Sequence, residues 1–218
     1  MSFPAPDGVA FPFTHINTVV QAIESQEARL RAHWCLPREE ARLLYLLAVV
    51  GRYRRLLEVG TSIGYSTLHL AQAASLNEGS LHTIDASGAR QAEALLNLQQ
   101  AQLAERVTFH HGDALSVLNR LQAEGQAFDL MFIDARKSEY CQYFQQASGL
   151  LVAGGLLIAD NTRSHRAKMQ DFIEAAHADP HWEISDLETP SGLLIALKRP
   201  SEPAPLLDQY SFSLRGEV

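Results

Sequence analysis

Apolar residues recur along this chain in two rhythms, and the rhythm changes at about residue 55. Before it, Ile16, Val19, Val20, Ile23 and Leu30 fall at helical spacing among polar neighbours, which predicts an amphipathic helix over residues 14–33. Pro37 followed by Arg38-Glu39-Glu40 suits a helix start, and Leu43, Leu44, Leu46, Leu47 and Val50 carry that helix to Gly51. From Arg55 onward short apolar runs alternate with helical patterns. Strands are predicted at 56–59, 81–84, 107–109, 130–133 and 156–159, with helices at 66–74, 89–103, 114–123, 139–151 and 167–178. Two more runs, 182–187 and 193–197, flank the turn-forming Thr189-Pro190-Ser191-Gly192 and predict a closing hairpin. Such alternation implies parallel strands with helical crossovers, an α/β doubly wound sheet.

Length and charge narrow the picture. The 218 residues suit one such domain with a short helical addition. A net charge of −7 and a pI near 5.7 argue against a broad nucleic-acid-binding face and favour a small-molecule partner. Cys35 and Cys141 stand far apart without metal-ligand spacing, so neither a disulfide framework nor a zinc site is expected. The first residues lack a basic stretch followed by an apolar core, and no run reaches membrane-spanning length; a soluble, cytoplasmic protein is expected. Pro200, Pro203 and Pro205 predict an irregular tail over 200–218.

Ligands of doubly wound sheets bind at the carboxyl ends of the strands, and the chemistry-bearing residues cluster there. The first strand closes on Glu58-Val59 and is followed by Gly60-Thr61-Ser62-Ile63-Gly64-Tyr65-Ser66, a glycine turn opening into a helix, where backbone N–H groups can approach a ligand. Its Glu-x-Gly-x-x-x-Gly spacing departs from the dinucleotide fingerprint Gly-x-Gly-x-x-Gly. Asp85 ends the second strand, where a carboxylate can accept from both hydroxyls of a ribose or cap the next helix. Gly112-Asp113-Ala114 follow the third, with Asp113 also suited to capping. Asp134 ends the fourth and Asp160-Asn161 the fifth, the latter also readable as a plain Asx turn.

The run from Leu56 to Ser66 resembles the first motif of class I S-adenosylmethionine-dependent methyltransferases, and Tyr65-Ser66-Thr67 brings it close to the catechol and caffeoyl-CoA type of O-methyltransferase. Phe128-Asp129-Leu130-Met131-Phe132-Ile133-Asp134-Ala135-Arg136-Lys137 and Gly154-Gly155-Leu156-Leu157-Ile158-Ala159-Asp160-Asn161 resemble that family's next two strand-end motifs. The resemblance covers about residues 36–199. It implies a Rossmann-like seven-stranded sheet with its last strand antiparallel, a methyltransferase domain over 37–199, an N-terminal helical extension over 1–36 for substrate entry or dimer contacts, and a homodimer.

Carried over position by position, Glu58, Gly60, Thr61, Gly64, Tyr65, Ser66, Asp85, Gly112, Asp113, Ala114 and Asp134 would bind S-adenosylmethionine. Asp134, Asp160 and Asn161 would hold Mg²⁺ or another divalent cation, and Lys137 would serve as the catalytic residue beside the hydroxyl that is methylated. Hard oxygen ligands suit such a cation, which leaves positions open for the vicinal oxygens of a catechol-like acceptor. Three departures stand out. Arg136 replaces a common second Asp, Thr162-Arg163-Ser164-His165-Arg166 lacks the usual aromatic, and Ser191-Gly192 occupies a turn where Asp-Gly is common. Without a cation His165 becomes the alternative base. A basic groove of Arg136, Lys137, Arg163, Arg166 and Lys168 would favour a tRNA acceptor, and a silent S-adenosylmethionine-binding protein is the third reading. Phe11, Phe13 and Trp34 fall in the segment that varies substrate entry.

Overall fold

A computed structural model describes residues 14–26, 28 and 35–200. Along the chain run α1 (Thr14–Glu24), α2 (Arg38–Val50), β1 (Arg55–Val59), α3 (Tyr65–Leu76), β2 (Ser80–Asp85), α4 (Gly88–Gln100), β3 (Val107–His111), α5 (Ala114–Ala123), β4 (Phe128–Ile133), α6 (Tyr140–Leu150), β5 (Leu151–Asp160), α7 (Arg166–Ala178), β6 (Trp182–Leu187) and β7 (Leu193–Lys198). The strands form one seven-stranded sheet in the order β3-β2-β1-β4-β5-β7-β6. The first five are parallel; β7 pairs antiparallel with both β5 and β6. This is the doubly wound, Rossmann-like sheet with an antiparallel last strand that the sequence implies.

Alternation along each central strand distributes its side chains to two apolar layers, because successive residues point to opposite faces. Leu56, Leu130, Phe132, Leu156 and Ile158 pack with α1, α2, α3 and α4, whereas Leu57, Val59, Met131, Ile133 and Leu157 pack with α5, α6 and α7. Ile16, Val19, Val20 and Ile23 of α1 join the first layer, so this helix is seated on the same core as α2–α4. Burial on both faces explains why β1 and β4 are mostly apolar, with Glu58 the buried exception.

Some boundaries differ from the pattern. The helix predicted over 14–33 ends at Glu24, where the Ser25 hydroxyl donates to the Ala22 carbonyl at 2.8 Å and draws the chain into a turn. The helix predicted to 103 stops at Gln100, with Gln102 left-handed at φ +58°, and a short 3₁₀ turn, Ala104–Arg106, leads into β3. Leu30, Phe11, Phe13, Trp34 and the tail beyond residue 200 lie outside the described residues. Among those described, no helix is long and apolar enough to cross a membrane. At the amino ends of the strands Arg54, Arg55, Glu78, Gly79, Ser80 and Asp129 line an open hollow of about 600 Å³, in which the Asp129 carboxylate takes the backbone amides of Arg54 and Arg55. The residues of interest lie at the opposite edge.

Candidate active site

The glycine turn after β1 is held by hydrogen bonds that extend the sheet past its strand ends. Gly60 N donates to Ile84 O at 2.9 Å and Asp134 N donates to Val59 O at 2.9 Å. Beneath the turn lies Glu58, fully buried, whose carboxyl accepts from the hydroxyls of Ser66, Thr67 and Thr83 at 2.6 Å each. Thr83 and Thr61 share a further hydrogen bond of 2.7 Å. Glu58 therefore braces the loop from below rather than reaching across it. The turn delivers α3 with Gly64 at its N-cap and no side-chain cap, so the first amides of that helix are left to donate to a negative or polar group. Tyr65 contributes only its backbone here: its hydroxyl donates to Glu24 at 2.8 Å, and Glu24 pairs with Arg38 at 3.3 Å, tying α1 to α2 and α3.

Burial pushes the Glu58 carboxyl up to about 7, against the pull of its three hydroxyl donors. The folded state thus binds this proton more tightly than the unfolded chain, so Glu58 costs stability progressively as pH rises from about 4.5 through 7. Glu58→Gln is expected to remove that loss, about 3 kcal/mol for a shift of this size. Urea unfolding of both proteins between pH 5 and 8 checks it; an unchanged slope in the variant contradicts the assignment.

At the end of β2, Asp85 accepts from Ser62 N through one oxygen and from Ser87 N through the other, each at 2.8 Å. Each oxygen keeps a second lone pair, enough for two ribose hydroxyls. Gly112 and Ala114 lie beside it after β3, and Gly112 N donates to Asp85 O at 3.1 Å. Asp113 is exposed and caps α5, taking the Ser116 amide and hydroxyl at 3.0 Å, which holds its carboxyl below the usual range.

On the other side of β1, the 3₁₀ turn Lys137–Glu139 after β4 folds Lys137 back so that its ammonium meets Asp134 at 2.8 Å and the Tyr140 hydroxyl at 3.5 Å. Tyr140 is fully buried, its phenol raised well above the ordinary value by burial, and it donates to Ile133 O at 3.2 Å. Arg136, expected to press a positive charge on this pole, turns away. Its guanidinium pairs with Glu139, and the side chain is 65% exposed.

Asp160 is 1% exposed and its carboxyl is raised to about 7, first by burial and then by the negative charge of Asp134. It accepts from Asn161 N at 2.6 Å and from the Ser191 hydroxyl. Asn161 adopts φ +69°, a left-handed conformation that asparagine tolerates. His165, at the start of α7, is lowered by burial and by the nearby Lys137 and Lys168. Two carboxylates and an amide at neighbouring strand ends match a hard divalent cation in kind, and the mutual repulsion of the carboxylates is what such a charge relieves. Among the described residues no group of three His, Cys, Asp or Glu is placed to hold an ion, so the third protein ligand would be the Asn161 amide.

Sequence reasoning missed Thr83 and Glu40. Glu40, fully buried on α2, accepts the Ser191 amide at 2.9 Å and is also met by the Ser191 hydroxyl. A signal existed: Glu40, Leu44 and Ala48 recur at four-residue spacing on the face that α2 buries, and an acid there needs an explanation.

A family model described as O-methyltransferase matches residues 17–199. The catechol O-methyltransferase of Niastella koreensis is 39% identical over 123 residues, covering 56% of this chain and 55% of that protein, so the match spans about half the length of that relative. The caffeoyl-CoA O-methyltransferase of Populus kitakamiensis is 31% identical over 211 residues, covering 85% and 88%. Among solved structures, an O-methyltransferase from Bacillus cereus in complex with SAH superimposes with a TM-score of 0.75 at 29% identity, over 85% of this chain and 91% of that one.

Proposed function

The chain belongs to the O-methyltransferase family, and from that premise we propose that it transfers the methyl group of S-adenosylmethionine to a hydroxyl of a small catechol-like or phenolic acceptor, assisted by a divalent cation at Asp134, Asp160 and Asn161. One observation carries the reading. Two chemically different poles share the carboxyl edge of the sheet: the uncapped α3 start with Asp85 on the β1–β2 side, and the Asp134–Lys137 pair with Asp160 on the β4–β5 side. The SAH in the Bacillus cereus relative supports the choice of cofactor.

In this scheme Asp85 accepts from the ribose hydroxyls, Gly112, Asp113 and Ala114 border the adenine, and the Tyr65 and Ser66 amides at the α3 start hold the amino-acid end, which Gly60, Thr61 and Gly64, their own amides bound within the fold, let come close. A divalent cation, when bound, lowers the pKa of the acceptor hydroxyl and orients its vicinal oxygens. Lys137, directed by Asp134, holds the phenolate oxygen through a charge-assisted hydrogen bond. That oxygen attacks the sulfonium methyl carbon in line as the carbon–sulfur bond breaks, releasing S-adenosylhomocysteine; the hydroxyl proton goes to solvent. No protein nucleophile takes part, and the chain supplies alignment.

Pairing of Lys137 with Asp134 and of Arg136 with Glu139 breaks the basic track that a tRNA acceptor would use, which favours the small acceptor. Titration calorimetry tests the scheme. S-adenosylmethionine is expected to bind with or without Mg²⁺, a simple catechol only with Mg²⁺, and chelation to reduce turnover by roughly 100-fold or more. Turnover indifferent to chelation would remove the cation from the scheme, and cofactor binding without turnover on any phenol would leave a silent binder. A homodimer is part of the proposal, and light scattering checks it against the 24.1 kDa monomer.

A further inference from the structure

We infer that Glu40 is a positioning residue for the acceptor end of the site: through Ser191 it sets the Asp160 carboxylate and the Asn161 turn, from a helix that itself supplies no ligand. The inference rests on the reading of Asp160 and Asn161 as cation ligands.

Glu40 is 0% exposed, and among the described residues no Lys, Arg or His pairs with it. Burying a carboxylate without a cation is costly unless hydrogen bonds replace water. Both of its partners come from one residue 151 positions away: Ser191 N donates to one carboxylate oxygen at 2.9 Å, and the Ser191 hydroxyl reaches the other. Ser191 is in turn the hub of the acceptor end. Its single hydroxyl proton is shared between Glu40 and Asp160 Oδ1, the oxygen that takes Asn161 N, while its carbonyl accepts from Arg163 N at 3.0 Å and Ser164 N at 2.9 Å. Thr162 N donates to Gly192 O at 3.1 Å. The amides of residues 162–164 are thus all bound to the Ser191-Gly192 turn, and that turn is fastened from below by Glu40. A shift of the turn moves a carboxylate and an amide that must converge on one ion, whereas the α3 and Asp85 pole depends on other contacts. Groups that orient ligands from behind govern affinity without touching the metal.

The test separates the two poles in the intact protein. Mn²⁺ binding is measured by electron paramagnetic resonance and S-adenosylhomocysteine binding by calorimetry, in wild type, Glu40→Ala, Glu40→Gln, Glu40→Asp and Asp160→Asn. Glu40→Ala is expected to weaken Mn²⁺ by about tenfold or more while the S-adenosylhomocysteine affinity stays within about twofold. Glu40→Gln keeps an oxygen for the Ser191 amide and is expected to stay within about threefold of wild type for Mn²⁺. Unchanged Mn²⁺ affinity in Glu40→Ala, with Mn²⁺ lost in Asp160→Asn, overturns the inference alone; so does parallel loss of both ligands. If wild type binds no Mn²⁺, or Asp160→Asn binds it as wild type does, the cation reading fails and the inference with it. Should Glu40→Ala not fold, Glu40→Asp, which withdraws the carboxylate from Ser191 by one methylene, decides on the same criterion.

Discussion

Alanine at Gly60 is expected to abolish S-adenosylmethionine binding and to lower the melting temperature. Gly60 sits at φ +108°, and a Cβ there would come 2.1 Å from the backbone oxygen of Asp134. Backbone cannot swing aside as a side-chain tip can, and the left-handed conformation strains any L-residue. The loop from β1 must then part from the end of β4, the two places that carry the poles of the site. We expect destabilisation of roughly 2–4 kcal/mol, or a fall on the order of 5–15 °C in melting temperature for a domain of this size. Calorimetric binding should fall below detection, a loss of about 100-fold or more, because a displacement of this order defeats aligned contacts. Wild-type affinity in a folded Gly60→Ala protein would show that the turn does not hold the cofactor.

The second large effect is expected at Lys137. Lys137→Met keeps the length and apolar stem but removes the ammonium that Asp134 holds at 2.8 Å. If that charge stabilises the acceptor oxygen as it reacts, kcat falls by roughly 10²–10⁴-fold, the range for a positioned proton-transfer or charge-stabilising group. S-adenosylhomocysteine affinity should stay within about twofold, since the cofactor pole is built from other contacts. A variant that loses acceptor affinity with kcat intact would make Lys137 a binding group only.

The strand ends were legible because parallel strands buried on both faces print as predominantly apolar runs, and the glycine or acidic residue that closes each run stands at the carboxyl edge of the sheet. Asp85, Asp134 and Asp160 stand at strand ends marked in that way. Side-chain direction was less legible. Glu58 was read as facing the ligand, yet three hydroxyl donors from β2 and α3 hold it below the turn, and two of those donors are adjacent to it only in space. Arg136 was expected at the cation; the i,i+3 spacing to Glu139 across a 3₁₀ turn draws it off, a local pairing visible in the sequence once the turn is known. Glu40 was hidden for a different reason. An acid in the first turn of a helix is ordinary, and nothing local announces that its partner lies at residue 191.

The reversed direction of β7 has a further meaning for how such an enzyme can change over time. Because β7 runs against β5, its first residue, Leu193, stands beside Asp160, and the link from β6 is a short hairpin turn at the same edge as the site. A parallel seventh strand would need a crossover helix, and that edge would end in a fixed strand terminus. Residues 188–190 of that tip can exchange without moving any crossover, while Ser191 and Gly192 stay tied to Glu40 and to the amides of residues 162–164, so this corner of the edge can diverge among descendants while the glycine turn and α3 are inherited intact.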